Sequence, residues 1–199
     1  MNTVQFSNHT AYPKFTGLRF DKKHIEELFE GLYGNNLLGE DLSHLLMGYV
    51  GNAETLAAIH RHVKRIRKEN QKIKILIDPV LGDNGKLYCP EECIELYRSM
   101  LCLADIITPN GSEALWLANL PIGASMNDIL EKLHILGPSK VIVTSVVIEG
   151  ELYLFASCSI EGKKYRIKVP KIEGHYTGTY VLCLFNLTLI YLGAMYSRL

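Results

Sequence analysis

Three short apolar runs, rich in β-branched residues, punctuate this chain, and each ends on side chains that carry oxygen. Residues 73–77 (Ile-Lys-Ile-Leu-Ile) run into Asp78 and Pro79, residues 105–107 run into Thr108, Pro109 and Asn110, and residues 141–145 close on Thr144 and Ser145. Runs of this length and composition read as strands. Between them, apolar residues recur at helical spacing: Ile25, Leu28, Phe29 and Leu32 over 21–32, then Leu56, Ile59, Val63 and Ile66 over 54–70. Further helices are expected near 90–101, 112–118 and 127–136, with Asp21 as the N-cap of the first. Repeated strand–helix–strand order predicts an α/β fold: a layered, mostly parallel sheet with helices on both faces. The unbroken apolar character of 141–143 suits a strand covered on both sides. After a turn at Glu149 and Gly150, residues 152–156 and 165–169 are expected to form an antiparallel pair.

In such sheets the ligand crevice lies beyond the carboxyl ends of the strands. Asp78, Asp83, Thr108, Asn110, Glu113, Thr144 and Ser145 therefore form the candidate site. Any one of them also serves as a turn or capping residue, but three successive strand ends of this kind favour a polar site. Lys+Arg and Asp+Glu both number 21, and this zero balance argues against a nucleic-acid binder and against attraction to anionic membranes. The basic run over 60–68 interleaves charges with apolar residues at helical spacing and reads as a solvated helix face. The five cysteines are irregularly spaced, with no Cys-x-x-Cys pair, so they read as free thiols in a reducing compartment rather than a zinc site. The opening residues are polar and lack a signal pattern, and the expected location is the cytoplasm.

Several strings resemble the pyridoxal kinases of the ribokinase-like superfamily, all in family order: NTVQFSNHT at 2–10, MGY at 47–49, DPVLGD at 78–83, GKLY at 85–88, ADIITPN at 104–110, VTS at 143–145 and YTGT at 176–179. The resemblance implies transfer of the γ-phosphoryl group of ATP to the 5′-hydroxyl of pyridoxal, pyridoxine or pyridoxamine. It also implies ATP, a divalent cation such as Mg²⁺ and a monovalent cation (K⁺ or Na⁺) as cofactors, and a homodimer. Carried over by position, Thr10 and Tyr49 resemble contacts to the vitamin. Asp78 and Asp83 resemble the acidic residues near the triphosphate and its metals, and Thr108 a monovalent-cation ligand. Asp83, Asn110, Glu113, Thr144, Ser145 and Thr179 resemble nucleotide contacts, while Gly178 and Thr179 begin what resembles the anion hole. Such chemistry needs charge neutralisation and alignment, which hard oxygen ligands supply. A hydroxymethylpyrimidine-type kinase is the nearest other branch; NTVQFSNHT favours the pyridoxal one.

The chain departs from the family in two places. Where the family reads Gly-Thr-Gly-Asp, with the Asp as general base, this chain reads Gly178, Thr179, Tyr180, Val181. Valine accepts no proton, so impaired catalysis is expected; the alternative function is a non-catalytic chain that binds ATP or a B6 vitamer, or pairs with a full-length subunit. The family also has a strand and helix before NTVQFSNHT and helices after the glycine turn. Residues 1–179 are thus expected to form an incomplete kinase domain, and 180–199 a divergent apolar tail that falls short of the about 20 residues of a membrane span. Uncovered sheet faces would leave such a chain marginally stable or prone to aggregate.

Overall fold

The structure is a computed structural model that describes residues 1–10 and 12–170. Two compact units divide it. The larger holds residues 1–5 and 18–170; the described part of the other is residues 6–10 and 12–17. The boundary expected after Thr179 lies outside the described residues.

A two-stranded sheet pairs β1 (Val4–Phe6) with β2 (Gly17–Arg19). The main sheet uses β3 (His44–Met47), β4 (Lys74–Ile77), β7 (Ile106–Ile107), β8 (Lys140–Ile148), β9 (Glu151–Cys158) and β10 (Lys163–Val169), in the order β10-β9-β8-β7-β4-β3. β3, β4, β7 and β8 are parallel; β9 and β10 are antiparallel additions. β5 (Gly82–Asp83) and β6 (Lys86–Leu87) form a small hairpin after β4. The helices are α1 (Lys22–Gly34), α2 (Ala53–Glu69), α3 (Glu92–Met100), α4 (Gly111–Ala118) and α5 (Met126–Ile135).

Helix starts follow local chemistry. Asp21, Asn52, Asn110 and Ser125 each accept a backbone N–H of the first turn, satisfying donors that a helix leaves open. Ile25 and Phe29 of α1, Leu56, Ile59, Val63 and Ile66 of α2, and the buried residues of α3 to α5 join one core with Ile75, Ile77, Ile107, Val141 and Val143. These strand residues alternate, so they share one sheet face. On the opposite face Leu46, Val147, Tyr165 and Ile167 are exposed. The mostly parallel α/β sheet is as expected; of the two helical layers expected, the described residues supply one. Among the described residues, no helix is long and apolar enough to cross a membrane.

The basic run is not wholly a solvated face. Arg67 donates to Ile73 O and Leu103 O, both at 2.7 Å, and pairs with Asp105. The Asp105 carboxylate also accepts Ile75 N at 2.9 Å. Burial pushes this carboxyl up, but the Ile75 N–H and the Arg67 guanidinium outweigh it and hold it below the usual range. Arg67→Ala leaves that carboxylate half-buried without its main partner, and a loss of about 2–4 kcal/mol in urea unfolding is expected. An unchanged midpoint would contradict the stitching role.

Candidate functional site

The parallel strands end in step. Asp78 N donates to Met47 O at 2.8 Å, Thr108 N to Ile77 O at 3.1 Å and Thr144 N to Pro109 O at 2.9 Å, while Asn110 bridges to Thr144. Met47, Asp78, Thr108, Asn110 and Thr144 are therefore laced along one edge by the backbone itself. Tyr49, half-buried, follows Gly48 on the same edge.

Asn110 and Glu113 form a capping box at the start of α4. Asn110 Oδ1 accepts Ser112 N at 2.9 Å and Glu113 N at 3.0 Å; Glu113 Oε2 accepts Asn110 N at 2.8 Å. The same two side chains reach across to the β4–β5 turn. Glu113 Oε1 accepts Leu81 N at 2.9 Å and Gly82 N at 3.2 Å, and Asn110 Nδ2 donates to Gly82 O at 2.7 Å. Both residues resemble nucleotide contacts, yet here their polar atoms bind the protein. They position the hairpin that carries Asp83.

That hairpin turns on Asn84 and Gly85, both with positive φ (49° and 75°), as a two-residue type I′ loop requires. The Asp83 carboxylate accepts Asn84 N at 2.8 Å and stays partly exposed, and Ser112 Oγ accepts Gly85 N at 3.1 Å, fastening the turn to α4.

Two carboxyls sit deep in the edge. Burial pushes Asp78 up to about 6, partly opposed by the bond from Thr108 Oγ1 at 3.2 Å. Burial pushes Glu113 up to about 7; its three N–H partners pull it down and Asp78 adds to the rise. The Thr144 hydroxyl is buried with no hydrogen-bond partner. At Thr144 and Ser145 the β8–β9 register slips, a bulge, and Ser145 takes φ 55°; a non-glycine residue there costs about 1–3 kcal/mol and such strain gathers at functional sites.

Buried, cation-poor carboxyls beside hydroxyls fit a hard oxygen-seeking cation. Among the described residues no three His, Cys, Asp or Glu side chains group to hold a metal alone. A cation at Asp78 and Thr108 would complete its shell with substrate oxygens and water, the habit of Mg²⁺. The sign of the pH effect follows. Between about pH 4 and 7 the folded chain keeps protons on Asp78 and Glu113 that the unfolded chain has released, so stability falls as pH rises through that window. The expected result is a lower thermal midpoint at pH 8 than at pH 5 without divalent ion, and a rise at pH 8 on adding Mg²⁺. A midpoint indifferent to both would contradict the picture.

Thr10 is an exposed residue of the loop between β1 and β2, in the smaller unit. Gly178, Thr179, Tyr180 and Val181 lie outside the described residues. Sequence reasoning missed Gly82 and Ser112 as supports of the site. The Asn84-Gly85 dipeptide, the strongest short-range hairpin signal, would have exposed their hairpin.

The sequence model of the phosphomethylpyrimidine kinase family matches residues 37–181. The chain is 39% identical over 186 residues to a pyridoxal kinase of Arabidopsis thaliana, with 90% of this chain and 60% of that protein covered. It is 32% identical over 198 residues to the human pyridoxal kinase, covering 90% and 63%. It thus spans about 60% of the length of such relatives. Among solved structures, the pyridoxal kinase of Entamoeba histolytica with PLP superposes with TM-score 0.81 at 32% identity, covering 97% of this chain and 70% of that one. The pyridoxal kinase of Leishmania donovani with ADP and pyridoxamine gives TM-score 0.81 at 34% identity, covering 90% and 66%. With the strand-end motifs in register and the family match covering most of its length, the chain belongs to the phosphomethylpyrimidine kinase family, as a pyridoxal kinase relative with the ribokinase-like fold.

Proposed function

We propose that this chain carries the core of an ATP-dependent kinase that phosphorylates the 5′-hydroxyl of pyridoxal, pyridoxine or pyridoxamine. The observation that carries this reading is the laced strand edge, where a partnerless Thr144 hydroxyl on β8 and the buried Asp78 carboxyl after β4 flank the end of β7. The Leishmania donovani and Entamoeba histolytica relatives, solved with ADP and pyridoxamine and with PLP, support it.

Each residue then has a task. Asp78 and Thr108 hold a cation, monovalent or divalent, and Asp83 faces the metal-bound triphosphate. Thr144 and Ser145 meet the nucleotide, with Asn110 and Glu113 holding the hairpin beneath it. Tyr49 contacts the vitamer; the family likeness alone assigns Thr10 to the vitamer and Gly178 and Thr179 to an anion hole for the transferring phosphoryl group. Bound Mg²⁺ would neutralise phosphate charge. A homodimer in the cytoplasm, without nucleic acid, is the working form that the family likeness suggests.

Val181 favours a second reading, in which the chain binds its ligands but turns over poorly or acts beside a complete subunit. Loss of a general base costs typically about 10²–10⁴-fold. Purified chain given Mg·ATP and pyridoxal is expected to bind both and to form pyridoxal 5′-phosphate at a rate reduced by about that factor. Turnover equal to that of a full-length relative would refute the impairment; absence of binding to either ligand would refute the function.

A further inference from the structure

Two side chains remote in sequence grip consecutive carbonyls of the segment that follows β3. Thr3 Oγ1 donates to Tyr49 O at 2.6 Å, and Tyr97 OH donates to Gly48 O at 3.3 Å. The strand ladder stops just before them, because Met47 O is the last β3 carbonyl taken by the neighbouring strand end, through Asp78 N. From there side chains hold the backbone in place of strand partners. Tyr97 is wholly buried within α3, and burial pushes its phenol well above its ordinary range, so it remains a donor at physiological pH. Thr3 comes from the residue before β1. Beyond the segment, Val50 is seated in the core, and the Tyr49 ring leans over Gly51, its hydroxyl 3.0 Å from the place a Cβ there would take. The backbone on both sides of the Tyr49 α-carbon is thus fixed while its ring remains half-buried.

We propose that Thr3 and Tyr97 are positioning residues that set the affinity for the pyridine-ring substrate by holding Tyr49 in place. The proposal rests on the reading of Tyr49 as a vitamer contact. Neither residue touches the ligand; each acts through a carbonyl of the Gly48–Tyr49 backbone. A ring contact loses strength when its backbone can drift, whereas the nucleotide end of the edge, at Thr144, has its own ladder bond to Pro109 and does not depend on either hydroxyl.

The test is calorimetric titration of the full chain with pyridoxal, and separately with ADP, for the parent, Thr3→Val, Thr3→Ser and Tyr97→Phe. A single hydrogen bond of this kind is expected to be worth about a three- to tenfold change. Thr3→Val and Tyr97→Phe should weaken pyridoxal binding by that amount. Thr3→Val should leave ADP affinity within about twofold of the parent, and Thr3→Ser, which keeps the hydroxyl, should restore pyridoxal binding. Parent-like pyridoxal affinity in both Thr3→Val and Tyr97→Phe would overturn the positioning role alone, as would an equal loss for both ligands in Thr3→Val. A parent chain that binds ADP but not pyridoxal would overturn the vitamer reading and the positioning role with it.

Discussion

Replacing Gly82 with alanine is expected to lower the unfolding free energy by about 2–4 kcal/mol and to weaken ADP binding at least about tenfold. A Cβ at this position would lie 2.1 Å from Lys86 O and 2.8 Å from Leu87 Cα. Both obstacles are backbone of the paired strand, so no side-chain rotation relieves them. The β5–β6 hairpin must open, or Gly82 must withdraw from Glu113 Oε1 and Asn110 Nδ2, its partners at 3.2 and 2.7 Å. Either movement displaces Asp83, the next residue. Urea unfolding and ADP titration of Gly82→Ala measure the two effects; parent-like values in both would show that the hairpin is not pinned where the structure puts it.

The second large effect is expected at Glu113. Its carboxylate accepts three backbone N–H groups, from Leu81, Gly82 and Asn110. Glutamine keeps the shape but offers one oxygen and an amide that can only donate. At least one buried N–H then faces another donor, and each unsatisfied buried group costs about 1–3 kcal/mol. Glu113→Gln should therefore lose about 2–4 kcal/mol of stability although it removes a carboxyl that burial already pushes up to about 7. The sign distinguishes two roles. If Glu113 served mainly as a charged ligand for a metal, the metal-free variant would be as stable as the parent or more so, because a costly buried charge has gone. Chemical denaturation of both proteins without divalent ion decides between these outcomes.

The sheet was legible wherever the residue pattern was one-dimensional. Ile75 to Ile77 and Val141 to Val143 are unbroken apolar runs that burial demands, and Leu56, Ile59, Val63 and Ile66 mark a single helix face. β3 is hard to read because His44–Met47, at the sheet edge among the described residues, alternates only weakly between core and solvent. That the described helices share one sheet face was illegible because nothing local says which face a helix will cover. For the site, the position of each oxygen-bearing side chain could be read from strand ends, but its partner could not. Asn110 and Glu113 look alike in sequence whether they reach a ligand or fasten a loop. Only the capping box and its reach to Gly82, about thirty residues away in the chain, separate the two. Arg67 reads as a solvated charge in the sequence because its partner Asp105 lies beyond any local window.

The central claim is that the carboxyl edge of the parallel strands cradles the phosphates of a nucleotide. A crystal structure of the chain grown with Mg·ADP tests it most directly. The expected result places the phosphates over the ends of β4, β7 and β8, with the Thr144 hydroxyl bonded to the nucleotide or its cation and the Asp83 carboxylate turned towards the metal. Nucleotide bound on another surface, with Thr144 still lacking a partner, would contradict the claim.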